Sequence, residues 1–430
     1  MCKSIEMQFL QFLQLITIVY LSSSLALAQV QGHCYTCVIH ADELQHPNNS
    51  YCFRNMYHIT QIAIAGKNIM VPKAFVEQTK DVYSLEINFN GLSSIDGTSI
   101  CEWPKLEFLH ADSNNLEKLS SGILSNCQQL TNLNLQNNKI NEIASDAFFG
   151  LSSLKYLDLS SNQIKFLDKN VFEHLKVLEE LDLRENQIQI DSSQLFQYNS
   201  DLRFLSLYSN DLRYIPVGLF DNLNKLEYLF ISNNPNLKSN IIDLKHFDAL
   251  DELMIDFTSV ATLILPLNVR KVYASNSQLS RVVVQPNSQL VKLDINNTLI
   301  HNFDNFINGT LTKLENLCIT LSLNDISIVE IKTKFPSIKC IGILGASSDN
   351  IDEETQRLIL EAEQNKIDFA ITHDDTFSRT YLYFNDFDYY TVYKKLNSTS
   401  SLKHTFLNIG IATNDEKSKN KRRKNLYTCA

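Results

Sequence analysis

The strongest constraint on the fold is a period of 24 residues. "LKYLDLSSNQI" begins at Leu154, and close variants begin at Val82, Leu106, Leu130, Leu178, Leu202, Leu226 and Leu250, each 24 residues after the last. The shared pattern is L-x-x-L-x-L-x-x-N-x-L. Weaker copies begin at Ile59, Val269, Leu290, Leu314 and Ile338, which gives about thirteen units between Ile59 and Leu344. A fixed period of this length is the signature of a stacked array, and it overrides the domain count that 430 residues would otherwise suggest.

The unit has a physical logic. Around Leu157 and Leu159 the two-residue alternation predicts a short strand with the leucines turned inward. Asn162 turns the chain, and its amide serves backbone groups of a neighbouring coil, so a polar residue tolerates burial. Phe148, Phe172, Phe196 and Phe220 recur every 24 residues and are expected to stack as a spine on the convex side. One unit cannot bury its apolar face alone, whereas stacked units can. The expectation is an α/β solenoid with a curved parallel β-sheet on its concave face and a cap at each end. The asparagine position becomes Thr258, Ser277, Thr298 and Ser322 in later units, and the spacing falls to 19 and then 21 residues after Leu250. Irregular curvature is expected between about residues 255 and 300, with a bulge at Asn236–Leu237.

The division that follows is 1–28 as a signal peptide, 29–58 as an N-terminal cysteine cap, 59–344 as repeats, 345–412 as a C-terminal cap and 413–430 as a basic tail. Lys3, the apolar run Phe9 to Leu27 and the small-x-small triplet Ala26-Leu27-Ala28 read as an export signal cleaved before Gln29. No later segment is long and apolar enough to span a membrane. The protein is therefore expected to be secreted. The eight cysteines beyond Cys2 are Cys34, Cys37, Cys52, Cys101, Cys127, Cys318, Cys340 and Cys429, and an even number in an exported chain suggests disulfides. Cys101 and Cys127 hold late positions of adjacent repeats and are expected to pair. Either Cys34 or Cys37 pairs plausibly with Cys52. Cys318 and Cys340 lie on adjacent strands offset by two residues, roughly 8 Å apart, which is too far for a bridge unless the register shifts. Otherwise one of them partners Cys429 or another chain. Sequons at Asn48, Asn296, Asn308 and Asn397 favour a glycoprotein. After Leu344, "SSDNIDEETQRLILEAEQNK" reads as a helix, "IDFAIT" as a last strand and "TYLYFNDFDYYTVYKK" as an edge strand. The tail Lys417 to Lys424 reads as a solvated basic segment, with contact to an anionic surface or proteolytic processing as the alternatives.

No catalytic, phosphate-binding or dinucleotide motif is present, and the ten histidines are scattered. Enzymatic activity is not expected, nor a metal, a cofactor or a nucleic-acid partner. Function then rests on the strand face. The outward positions read Tyr156 and Asp158, then Glu179, Glu180, Asp182, Arg184 and Glu185, then Phe204, Tyr208, Tyr228, Phe230, Met254, Phe257 and Tyr273. One strip is acidic and the next is aromatic, and exposed aromatics favour protein interfaces. Phe204, Tyr208, Tyr228 and Phe230 are the expected anchors. A glycan at Asn296 would confine binding to the repeats starting at Leu154 to Leu250. The bland alternative is that the aromatics tuck against their neighbours and stabilise the sheet.

The repeats from Ile59 to Leu344 resemble the extracellular 24-residue leucine-rich-repeat class of Toll-like receptors and many matrix proteins. With the export signal, "CYTC" at Cys34 and no membrane span, the chain resembles the mosquito leucine-rich immune proteins. That resemblance implies a circulating innate-immune protein whose partner is a complement-like thioester protein or another leucine-rich-repeat chain. Many members of that family carry a cysteine pair followed by a long C-terminal coiled coil. Here the one candidate helix, near residues 351 to 366, spans about two heptads, too few for a stable coil, so a coil-less member is implied. A matrix or cell-adhesion component and a soluble receptor decoy are the alternatives.

Overall fold

The computed structural model describes residues 36–40, 60–66, 69, 71–300, 310–319, 327–344 and 353–372. Cys34, Cys52, Cys429, the sequons at Asn48, Asn308 and Asn397, the aromatic segment after Arg379 and the basic tail lie outside them. The chain forms two compact units, Met1–Ser239 with His246–Met254, and Asn240–Lys245 with Ile255–Ala430.

In the first unit each coil contributes one strand to a parallel sheet. The order is Thr36–His40, Gln61–Ala65, Ser84–Glu86, Phe108–His110, Asn132–Asn134, Tyr156–Asp158, Glu180–Asp182, Phe204–Ser206, Tyr228–Phe230 and Glu252–Met254. The 24-residue period fixes the register. Leu133 pairs with Leu157, Leu157 with Leu181, Leu181 with Leu205, Leu205 with Leu229 and Leu229 with Leu253. All six are fully buried in one dry column, each worth roughly 1.5–3 kcal/mol of apolar burial. Three residues beyond each of six successive strands the chain turns through a residue with positive φ: Ser113, Asn137, Ser161, Glu185, Ser209 and Asn233 have φ between 52° and 56°. The N–H of that residue still reaches the next coil, as Ser161 N does to Arg184 O at 2.9 Å.

The asparagine after each strand staples three pieces of chain. Asn186 Nδ2 donates to Leu159 O of the preceding coil at 3.0 Å, and to Leu183 O and Arg184 O of its own coil at 3.2 and 3.1 Å. Its Oδ1 accepts from Ile164 N at 3.0 Å. Asn138, Asn162, Asn210 and Asn234 repeat this arrangement. Buried backbone groups that must find partners thus find them in a periodic ladder. Beneath it, the rings of Phe148, Phe172 and Phe196 stack at 6.1 Å between centroids. Phe220 departs from the expected spine: it packs on Phe247 at 6.4 Å and a 58° tilt. The next coil inserts a residue at the Pro235–Asn236 turn, and its phenylalanine falls 27 positions later rather than 24.

Cys101 and Cys127 are joined by a disulfide, with 4.7 Å between their Cα atoms. Gly150 has φ +87°, and an added Cβ there would lie 2.2 Å from Ser125 O of the preceding coil. Only glycine lets the two backbones approach this closely.

The second unit has two sheets. One runs Lys271–Tyr273, Lys292–Ile295, Asn316–Ile319, Cys340–Leu344 and Asp368–Thr372, all parallel. Helix Glu353–Gln364 packs Leu358 and Ala362 inward ahead of the last strand, as the sequence predicts. The other sheet, Ile241–Asp243, Thr262–Ile264 and Arg281–Val283, is not anticipated from sequence. Its first strand falls in a 24-residue coil and the other two in the coils of 19 and 21 residues, and the sheet buries Ile242, Leu263 and Val282. Thr258, Ser277 and Thr298 replace the asparagine with a hydroxyl that donates to the carbonyl three residues back. A hydroxyl has one proton to give and an amide has two. The Cys318–Cys340 pairing does not form: Cys340 faces Asn316, and Cys318 faces Gly342. Cys340 is disulfide-bonded, while Cys318 is half-buried and keeps its thiol.

Candidate protein-binding face

With the central leucines buried, the flanking residues of each strand face outward and align across strands by register. In the first unit one row reads Tyr156, Glu180, Phe204, Tyr228 and Glu252, and the next reads Asp158, Asp182, Ser206, Phe230 and Met254. Strands lie about 4.8 Å apart, so neighbours in a row touch.

Burial divides these residues in a way the sequence does not show. Tyr156, Glu180, Arg184 and Tyr208 are half-buried, as is Phe257 in the second unit. Phe204, Tyr228 and Phe230 are only 6%, 4% and 2% exposed, and Met254 is 7% exposed. The expectation of an exposed aromatic strip is therefore corrected. Phe204 meets Phe230 edge-on at 5.3 Å, and Tyr228 meets Phe230 at 6.4 Å. Large side chains in register on adjacent strands cover one another, and the bland alternative holds for these three.

The acidic strip is also reassigned in part. Asp158 and Asp182 are each 3% exposed. Asp158 Oδ1 accepts from Ser160 N at 2.8 Å, and Oδ2 accepts from the Tyr156 hydroxyl at 3.1 Å. Asp182 Oδ1 accepts from Arg184 N at 3.0 Å, and its other oxygen lies 3.2 Å from the Arg184 guanidinium. Both close the turn that ends their strand, in the manner of an Asx turn. Asn134 does the same for Gln136.

Glu180 is different. No described residue hydrogen-bonds to its carboxylate or pairs with it within 4 Å. Burial, reinforced by Glu179 and Asp182 and opposed by Arg203, pushes it up to about 7. Towards the N-terminal end the same face holds Glu86 and Asp112, both raised, chiefly by burial, and His110, lowered to about 4 by burial. The sequence reading missed this end. Phe89 is a further omission: it is 67% exposed with φ 56°, a conformation rare for a bulky residue. Its place in the positive-φ column of the repeat is the signal that would have found it.

In the second unit Asp256 Oδ1 accepts from Ser275 N and Oγ at 3.0 and 2.9 Å. Asp294 is pushed up to about 7 by burial and by Asp256. Lys292 sits 5.1 Å above the Tyr273 ring. Asn296 is half-buried, and the hydroxyl of its sequon residue Thr298 is bonded to Ile295 O. Among the described residues no group of three His, Cys, Asp or Glu is placed to hold a metal ion, and no helix is long and apolar enough to cross a membrane.

Residues 128–188 and 178–235 match the family described as leucine rich repeat. No curated protein matches the chain. Among solved structures, the ectodomain of the plant receptor kinase GASSHO1/SCHENGEN3 from Arabidopsis thaliana, in complex with CASPARIAN STRIP INTEGRITY FACTOR 2, is similar at TM-score 0.50 and 20% identity. That match covers 78% of this chain and 40% of that one. The TLR13–ssRNA13 complex is similar at TM-score 0.50 and 19% identity, covering 73% and 54%. The APL1 leucine-rich repeat domain gives a TM-score of 0.47 and 16% identity, covering 73% and 82%. The family match and the two likenesses at TM-score 0.50 show the leucine-rich-repeat fold.

Proposed function

We propose that the protein is an exported, non-catalytic binding scaffold whose first unit receives a protein partner on the outward face of its sheet. The observation that carries this is the set of half-buried outward side chains Tyr156, Glu180, Arg184 and Tyr208, mounted on a ladder of buried leucines and asparagines. Tyrosine and arginine are the residues on which interface energy concentrates, and a rigid strand positions them without an ordering cost on binding. Two of the similar structures are complexes, one with CASPARIAN STRIP INTEGRITY FACTOR 2 and one with ssRNA13. For this chain a formal net charge of −10 and an acidic face repel phosphate, so a protein is the better occupant. An innate-immune role, with a complement-like thioester protein or another leucine-rich-repeat chain as partner, is the specific form of this reading.

The test uses the tagged chain, recovered from the medium, as bait in extracellular fluid, with the captured partner then purified. Tyr156→Ala with Tyr208→Ala should weaken that partner at least ten-fold while leaving the circular dichroism unchanged. Unaltered affinity refutes the face. N-terminal sequencing of secreted material should begin near Gln29. Induction after infection supports the immune form, and deposition in basement membrane overturns it in favour of a matrix role.

A further inference from the structure

We propose that Asn90 is a self-modification site: its side-chain amide is lost by cyclisation onto the Gly91 backbone nitrogen, and the resulting acid unstaples the coil at Gln61–Ala65 from the coil at Ser84–Glu86. Asn-Gly occurs twice in the chain, at Asn90–Gly91 and Asn308–Gly309, and the second pair lies outside the described residues. Asn90 holds the ladder position of its coil, 24 residues before Asn114. Its Nδ2 donates to Ile64 O at 2.6 Å, and its Oδ1 accepts from Gly66 N at 2.9 Å.

Three observations separate this copy from the regular ones. The amides of Asn114, Asn138, Asn162 and Asn186 each donate to one carbonyl of the preceding coil and two of their own. Among the described residues the Asn90 amide donates to Ile64 O alone. Those four asparagines are buried, whereas Asn90 is half-buried and Gly91 is exposed. The residues after them, Asn115, Lys139, Gln163 and Gln187, donate their N–H groups to the preceding coil at 2.8 to 2.9 Å. The Gly91 N–H has no acceptor among the described residues.

The chemistry needs only water. Glycine has no Cβ to hinder attack by its own nitrogen. Gly91 N bonds to Asn90 Cγ and the Cγ–Nδ2 bond breaks. The Gly91 proton passes through solvent to the leaving nitrogen, which departs as ammonia. A water molecule then opens the cyclic imide. Opening at Cγ gives aspartate, and opening at the backbone carbonyl gives isoaspartate, whose main chain runs through Cβ and Cγ. An ionised carboxylate is an acceptor with no proton for Ile64 O. It sets a negative charge against that carbonyl, and isoaspartate also adds a methylene to the turn.

The test holds the full chain in neutral buffer and samples it over time. The tryptic peptide 81–105 carries both Asn88 and Asn90, and fragmentation after isoaspartate methylation locates the conversion. Isoaspartate should build up at Asn90 at least ten-fold faster than at Asn88, Asn114, Asn138, Asn162 or Asn186. Hydrogen exchange across 61–65 should accelerate at least ten-fold in the converted chain and in Asn90→Asp, with Asn132–Asn134 unchanged. Asn90→Thr places at this position the residue type that fills it at Thr258 and Thr298. It should form no isoaspartate there and show no further change on ageing. Conversion of the other asparagines as fast as Asn90, an intact Asn90, unaltered exchange across 61–65 after conversion, or the same ageing in Asn90→Thr overturns the assignment.

Discussion

Replacing Asn186 with alanine isolates what holds one coil to the next. The side chain donates to Leu159 O, Leu183 O and Arg184 O and accepts from Ile164 N. The three carbonyls have second donors: Leu159 O receives Asn162, Leu183 O receives Asn210, and Arg184 O receives Ser161 N. Only the Ile164 N–H is left bare. A buried orphan donor costs about 1–3 kcal/mol, and the two amide protons represent about 1 kcal/mol each in net hydrogen bonding. The expected loss is thus about 4 kcal/mol. Asn162→Ala in addition strips Leu159 O of its second donor, so the double variant should lose at least about 1 kcal/mol more than the sum of the singles. Asn114 shares no acceptor with Asn186, and that pair should be additive within about 0.5 kcal/mol. Denaturant unfolding followed by circular dichroism gives the energies. Hydrogen exchange at Ile164 gives the local readout and should accelerate in Asn186→Ala. Additivity of Asn162 and Asn186, or an Ile164 amide as protected as before, would refute the ladder as the source of coupling between coils.

Other outcomes follow from the same packing. Phe172 is fully buried between the rings of Phe148 and Phe196, so Phe172→Ala should cost about 3–5 kcal/mol, measured as a lowered denaturation midpoint. The Cys101–Cys127 bridge closes a separation of 26 residues, and replacing both with serine should cost about 3.5 kcal/mol in a loop-entropy model, seen as a reduced melting temperature. Gly150→Ala forces the Ser125 carbonyl aside and should destabilise more than an ordinary surface change, which lies within about 0.5 kcal/mol. For Glu180, whose carboxyl is raised from 4.5 to about 7, the native state binds more protons than the unfolded chain between those values. Its contribution to stability is therefore lost as pH rises from about 4.5 to 7. Glu180→Gln should flatten that decline and melt no lower than the wild type at pH 8, and a variant that melts lower contradicts the environment assigned to this group.

Some of this protein follows from its sequence alone. A strict period places chemically equivalent residues in register once each repeat makes one coil of a stack, so the leucine column, the asparagine ladder and the pairing of Cys101 with Cys127 are legible from Leu154, Asn162 and their copies. The closing helix and strand after Leu344 are likewise readable from local pattern. Burial on the outer face is not, because it depends on which side chains lie beside one another in space. Phe204, Tyr228 and Phe230 occupy outward positions by alternation, yet three large groups in adjacent places shield each other and leave the sheet nearly dry. Asp158 and Asp182 look like surface charge until the turn beyond them bends its N–H groups onto their oxygens. Glu180 stands among them with no such donor, and only the three-dimensional arrangement separates that one carboxylate from its neighbours.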